Sequence, residues 1–515
     1  MARRRRNTTY PVVDLFAGPG GIGEGFANLY ANNGKSAFKT LASIERDGYA
    51  HQTLLLRHFF RSFRQEEVPD AYYDYIAGDI TKDKLIQKYP LEWQRAESTA
   101  LKISLGDETH EQVKKIIKQR LGKTRKWVLV GGPPCQAYSL VGRSRMMSNP
   151  GFEGDERHFL YKEYLKIIID HRPPVFVMEN VKGILSAKVN GKLVIQKIVN
   201  DLSSPIKAIT HKKNGLSYRL FSLSQDGELN GENDPKDFIV KSEEYGVPQA
   251  RHRMFIIGIR SDINVQPGRL EIKKPPSVQQ IIGCMPKVRS GISRQEDSYE
   301  LWQKALCSAS TSGWYKTYNR SQAKNFKKIL GRALTEIQSS SLERSSNQYR
   351  APRVMHSWYY DDRIKSLASH EARSHMHSDL HRYLFSAIHA EALGVSPKLI
   401  DFPIKLLPKH KNVKQGREGK MFSDRFRVQV ASHVSTTITS HISKDGHYFI
   451  HYDPAQCRSL TVAEAARLQT FPDNYHFEGP RTSQYHQVGN AIPVYLAHQI
   501  AEIISEVLTA MKGAD

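Results

Sequence analysis

A lone cysteine, Cys135, follows two prolines in the run Gly131-Gly132-Pro133-Pro134-Cys135-Gln136-Ala137-Tyr138-Ser139. The prolines stiffen the backbone, so the thiol is presented at a fixed place, as a nucleophile requires. A free cysteine is more often a small buried hydrophobe, so its surroundings must decide. Glu179, in Glu179-Asn180-Val181, is a candidate proton carrier. A thiol beside a carboxylic acid suits attack on a heteroaromatic ring whose nitrogen must be protonated. Arg251 and Arg253, in Gln249-Ala250-Arg251-His252-Arg253, could hold an anion or an activated thiolate. A further run, Asp14-Leu15-Phe16-Ala17-Gly18-Pro19-Gly20-Gly21-Ile22-Gly23, is a glycine-rich turn open to close approach by a polar or anionic group. Glu45 and Asp79 are acidic residues expected at later strand ends. Taken alone, this turn fits NAD, FAD, a nucleotide or S-adenosylmethionine, or a purely structural bend.

These residues need elements to position them. Short apolar runs predict strands over Tyr10–Phe16, Thr40–Ile44, Tyr75–Gly78, Trp127–Val130, Pro174–Met178, Tyr218–Leu223 and Met254–Ile259. Helical patterns over Gly23–Asn32, Gly48–Phe60 and Phe159–His171 separate several of them. This alternation predicts an α/β fold with a doubly wound, mainly parallel sheet. Ligands bind such sheets beyond the carboxyl ends of the strands, where Cys135 and Glu179 fall on one edge. The segment Thr81–Lys126 reads as a charged, helical insertion. From about Ile272 the alternation stops; strand character returns at Tyr448–Tyr452, and helix at Leu460–Leu468 and Val494–Met511.

The chain has 515 residues, enough for two to four domains at roughly 150 each. Its apolar share of 39% excludes disorder as a global description. No run of eighteen apolar residues occurs, so no membrane span is expected, and no secretory leader follows Arg3–Arg6. The four cysteines lack a CxxC pair, which argues against a disulfide framework and a zinc ribbon. His370, His375, His377 and His381 match no zinc spacing, so no metal is expected. The net charge of +23 points to a polyanion, nucleic acid before membrane. Residues Ser261–Val430 carry 29 Lys and Arg against 15 Asp and Glu, so this third of the chain holds most of the excess.

The blocks from Asp14 to Gly21, Pro133-Pro134-Cys135-Gln136, Glu179-Asn180-Val181 and Gln249-x-Arg251-x-Arg253 together resemble the DNA cytosine-5 methyltransferase family. Arg458-Ser459-Leu460-Thr461-x-x-Glu464-x-x-Arg467-Leu468-Gln469-x-Phe471-Pro472 and Gln487-Val488-Gly489-Asn490-Ala491-Ile492-Pro493 complete the set in family order. The resemblance implies a Rossmann-like S-adenosylmethionine domain and methylation of cytosine C5. It implies that Phe16, Ala17, Gly18, Gly20, Gly21 and Pro133 line the cofactor pocket, with Glu45 at the ribose. Asp79 and Ile80 would lie at the adenine, and Asn490 and Ala491 would close the pocket. By resemblance, Cys135 adds to C6 of a flipped cytosine, Glu179 contacts N3, and Arg251 and Arg253 complete the catalytic set, Arg253 holding the base. The loop with Ser139, Arg143 and Arg145 corresponds to the family's lid over DNA.

The resemblance further implies a catalytic domain over 1–265, a smaller target-recognition domain over 266–435, and a return to the catalytic domain over 436–515. Arg425, Arg427 and Thr437 are candidate DNA contacts there. Competing expectations are a tRNA-modifying relative, disfavoured by the long basic insert, and an inactive DNA-binding relative, disfavoured by the intact Cys135 and Glu179. A dinucleotide oxidoreductase would explain the glycine-rich turn alone. The expected setting is a cytoplasmic, monomeric bacterial or phage enzyme acting on double-stranded DNA, paired with a restriction endonuclease or other defence proteins.

Overall fold

Strands β1 (Tyr10–Leu15) and β4 (Val128–Gly131) bury Val and Leu on both faces, as central parallel strands require, while β2 (Phe38–Glu45) is buried mainly over its second half, Ala42–Ile44. The computed structural model describes residues 8–31, 33–134, 157–189, 192–210, 215–229, 233–408, 413, 416, 418 and 423–511. Between these strands lie α1 (Gly21–Ala27), α2 (Gly48–Phe60), α3 (Asp70–Ala77), α4 (Lys82–Lys88), α5 (Pro90–Thr99), β3 (Ala100–Lys102) and α6 (Asp107–Leu121). Then follow α7 (Arg157–His171), β5 (Val175–Val181), β6 (Tyr218–Phe221), β7 (Glu228–Leu229), β8 (Ile239–Lys241) and β9 (His252–Arg260).

Among the described residues these strands form one nine-stranded sheet, in the order β3-β2-β1-β4-β5-β9-β6-β7, with β8 also paired to β9. The first five are mutually parallel, whereas β9 runs antiparallel to both of its neighbours. The doubly wound α/β sheet is thus present, with α1 and the C-terminal helix on one face and α6 and α7 on the other.

Three elements differ from expectation. Tyr75–Gly78 is the end of helix α3, not a strand. Tyr72, Tyr73 and Ile76 are buried at helical spacing, and Gly78 (φ +88°) caps the helix while Asp79 N–H returns to the Asp74 carbonyl at 2.8 Å. The strand beside β2 is instead β3, inside the segment read as wholly helical; three residues carry too little periodicity to show. Tyr448–Tyr452 also forms no strand: only Ile450 makes bridges, to Val428 and Ser459.

The inserted segment has its own apolar core. Helices α8 (Tyr299–Cys307), α9 (Arg320–Ser339) and α10 (His377–Leu393) pack Trp302, Phe326, Leu330, Leu384 and Phe385 together, joined by Phe426, Ile450 and Cys457. The chain then returns through α11 (Val462–Leu468), α12 (Arg481–Asn490) and α13 (Val494–Ala510). Arg481–Ala510 is long and apolar enough to cross a membrane, but 72% of its most apolar window is buried in the protein. Helix α13 lies so close to α1 that a Cβ on Gly25 would sit 2.4 Å from that of Ala497.

Candidate active site

The glycine-rich turn closes on a carboxylate. Phe16 takes a left-handed backbone (φ 57°), a strained conformation for a non-glycine residue, and Ala17 N–H bonds the Ile44 carbonyl at 3.0 Å. Gly18 (φ +56°) then donates its N–H to Glu45 Oε2 at 2.8 Å. Glu45 Oε1 accepts from Arg46 and Asp47 N–H at 2.9 and 2.8 Å, so three amides aim this carboxylate from the end of β2. No atom lies within 4 Å of where a Gly18 Cβ would be, leaving room at the carboxylate for a polar ligand.

The C-terminal block completes the turn. A Cβ on Gly21 would meet the Ile492 carbonyl at 2.7 Å, and Tyr475 Oη donates to the Pro19 carbonyl. This packing brings Ala491 against Gly21; Asn490 ends α12, its amide beside His486. Asp79 and Ile80 follow the cap of α3. A carboxylate after β2, an open glycine turn after β1 and a polar amide from the returning helix form a donor set that fits a nucleoside-bearing cofactor. Asp14, just before the turn, is buried, and both its oxygens lack partners among the described residues. Burial, then the Glu45 charge, pushes its carboxyl up to about 8.

Along the same edge, β5 presents Glu179 opposite Phe255 of β9, two residues from Arg253. Arg253 Nε lies 3.0 Å from Glu179 Oε1. Burial raises the Glu179 carboxyl above its ordinary range, against the opposing pull of Arg253 and then Arg251. A Cβ at Gly132 would lie 2.7 Å from Glu179 Oε2, so glycine there lets the acid pack on the turn that leads to Cys135. Asn180, which sequence reading quoted without assigning a part, donates to the Pro133 carbonyl at 3.0 Å and holds the same turn. Its adjacency to Glu179 was the available signal. Cys135, Ser139, Arg143 and Arg145 lie outside the described residues.

Arg251 is placed differently from Arg253. It is fully buried, and its guanidinium donates to the carbonyls of Ile438 at 2.5 Å and Gly489 at 3.1 Å. Thr437 Oγ1 is likewise turned inward, to the Ala250 carbonyl at 2.5 Å. Arg427 is ion-paired to Asp424, and Phe426 between Arg425 and Arg427 is buried in the insert core. Of the four histidines, His377 and His381 pack ring to ring with centroids 5.3 Å apart, but the others lie elsewhere: His370 bonds Thr461 and the Pro286 carbonyl, His375 bonds Ser459, and His381 itself bonds the Ala305 carbonyl. Among the described residues, no three His, Cys, Asp or Glu side chains are grouped to hold a metal ion. A cavity of about 820 Å³ between α1 and α2 shares only Gly20 with the cofactor set.

A glycine turn, an aimed carboxylate and a buried acid held by an arginine share one sheet edge. The family model for C-5 cytosine-specific DNA methylases matches residues 89–205 and 234–506, and the chain belongs to that family. It is 31% identical over 520 residues to the type II methyltransferase M.Bpa9945I of Bacillus paralicheniformis, covering 96% of this chain and 99% of that one. It is 24% identical to the type II methyltransferase M.DdeI of Desulfomicrobium norvegicum, over 96% and 88% of the two chains. Among solved structures, a protein encoded within an E. coli prophage shares the fold at a TM-score of 0.50, with 16% identity over 97% of this chain and 99% of that one. The protein is a DNA cytosine-5 methyltransferase and acts at specific sites in DNA.

Proposed function

We propose that the protein transfers a methyl group from S-adenosylmethionine to C5 of one cytosine in a double-stranded DNA site, as the modifying half of a restriction-modification system. The observation that carries this reading is the Glu179–Arg253 pair seated against Gly132, at the foot of the Pro-Pro-Cys turn. Bound at the glycine turn, S-adenosylmethionine supplies the electrophilic methyl group. Cys135 Sγ forms a bond to C6 while Glu179, its carboxyl raised by burial, donates a proton to N3, and the electron density reaches C5. After methyl transfer the C5 proton passes to solvent, the Sγ–C6 bond breaks and N3 returns its proton to Glu179, which frees the thiolate. Arg253 fixes the Glu179 carboxyl and turns it to the base. Phe16, Gly18, Glu45, Asp79, Ile80, Asn490 and Ala491 would hold the cofactor. Residues 266–435, with their separate core and positive charge, would seat the duplex, with Arg425 and the loop carrying Arg143 and Arg145 on its backbone.

The test is covalent capture. The wild-type protein should form a stable adduct with duplex carrying 5-fluorocytosine at the target, because the C5 fluorine cannot leave as a proton does. Cys135→Ala should bind the same duplex, form no adduct and give no 5-methylcytosine. Methylation by Cys135→Ala would overturn the nucleophile assignment. The target itself is read by mapping 5-methylcytosine in cells expressing the protein.

A further inference from the structure

Ile438, the residue after Thr437, is gripped at both of its backbone polar groups by side chains from one short segment. Its N–H donates to Gln249 Oε1 at 2.8 Å, and its carbonyl accepts Arg251 Nη1 at 2.5 Å. The same two side chains reach the block that closes the cofactor pocket. Arg251 Nη2 donates to the Gly489 carbonyl at 3.1 Å. Gln249 Nε2 donates to Gln469 Oε1 at 2.9 Å, and Gln469 in turn donates to the carbonyls of Val488 at 2.8 Å and Ala491 at 3.2 Å. The two gripped segments also touch directly: a Cβ on Gly489 would lie 2.3 Å from Ser440 N. Gln249–Ala250 further pairs with Ser435–Thr436 as a short parallel ladder.

Packing does not account for this arrangement. Arg251 is fully buried with only neutral carbonyl acceptors, and its Nε has no partner among the described residues. Burial accordingly pulls its pKa far down. An apolar side chain would fill the space without the cost of a buried, incompletely bonded cation. What a guanidinium adds is a rigid fork that reaches two backbone segments at once. Those segments are the start of the returning chain, directly after the inserted region, and the lip of the cofactor pocket.

We infer that Gln249 and Arg251 are positioning residues that tie the seating of DNA on the inserted segment to the closure of the cofactor pocket, so that each ligand tightens the other. The inference rests on the reading that residues Ser261–Val430 seat the duplex. Coupling between sites is reciprocal, so it is measurable from either side.

The probes are S-adenosylhomocysteine, which carries no methyl group to transfer, and a duplex bearing the mapped target. In the wild-type protein the duplex should tighten S-adenosylhomocysteine by about tenfold, a typical coupling between linked sites. In Arg251→Lys that gain should fall most of the way to unity, while affinity measured without DNA stays within a factor of about two, far below the coupling itself. An unchanged gain, a wild-type gain of one, or an equal loss of affinity with and without DNA would each overturn the inference, the last by showing a merely structural role. Should Arg251→Lys not fold, hydrogen exchange on the wild-type chain decides. S-adenosylhomocysteine alone should slow exchange over Ile438–Ser440, and duplex alone should slow it over Val488–Ala491. If duplex protects the inserted segment but neither cross-effect occurs, the inference fails alone. If duplex protects nothing within Ser261–Val430, the underlying reading fails and takes the inference with it.

Discussion

The sheet edge and the seam between the inserted region and the returning chain hold their buried carboxylates differently. Where the insert meets the returning chain, one buried acid is fully paired. Arg458 and Glu464, both essentially inaccessible, form two parallel bonds of 2.7 Å each. Glu464 also closes a capping box with Thr461 at the start of α11, Tyr383 bonds His447 at 2.7 Å, and both ring nitrogens of His370 are engaged. Along the catalytic edge, capacity is left over. Asp14 has no partner for either oxygen among the described residues, Phe16 holds a strained backbone, and Glu179 has a single ion pair there. A fully bonded carboxylate specifies a fold, whereas a buried carboxyl with bonding capacity left over can meet a ligand.

Four changes would break or sharpen that contrast. Glu179→Gln keeps the shape but cannot take and return the proton, so single-turnover methylation should fall about 10²- to 10⁴-fold, with cofactor and duplex affinities unchanged. A loss of less than tenfold would remove Glu179 from the chemistry. Gly132→Ala should push the acid off the turn, since its new Cβ would lie 2.7 Å from Glu179 Oε2. A displacement of that kind costs on the order of 10²-fold in kcat and leaves duplex binding alone. Leu384→Ala, in the insert core, should destabilise by about 2–5 kcal/mol in denaturant unfolding and weaken duplex binding before cofactor binding. Equal loss of both would show that the two cores unfold together.

The smallest effect belongs to Asp14. Its folded pKa, about 8, lies above the ordinary carboxylate range, so between the two the folded chain binds the extra proton. Stability from this group is therefore full at acid pH and falls as pH rises toward about 8. Asp14→Asn should remove that slope, gaining about 1 kcal/mol or more at pH ~8.5 relative to pH ~5 in urea unfolding. An unaltered slope would mean that Asp14 is charged in the folded state.

Much of the catalytic edge was legible because backbone demands leave residue signatures. Gly18 and Gly20 occur where φ is positive, Gly132 where a carboxylate crowds the chain, and Glu45 and Glu179 where parallel strands end. The errors came where a local pattern was ambiguous. Tyr75–Gly78 has strand composition, but its aromatic neighbours face a helical core and Gly78 serves as the cap. Arg251 and Arg253 looked equivalent in sequence. Yet β9 turns Arg253 toward Glu179, while Arg251, one residue before that strand, points to Ile438 and Gly489.

The amino-acid sequence by itself determined the class of reaction, because the family's blocks impose residue types at fixed offsets within a few positions of a strand end. Tertiary structure alone decided how the pieces act together. The pairing of Glu179 with Gly132, the closing of Gly21 against Ile492, and the grip of Gln249 and Arg251 on Ile438 join residues separated by tens to hundreds of positions. Such contacts depend on long-range packing, and no local pattern records which distant carbonyl a buried side chain will meet.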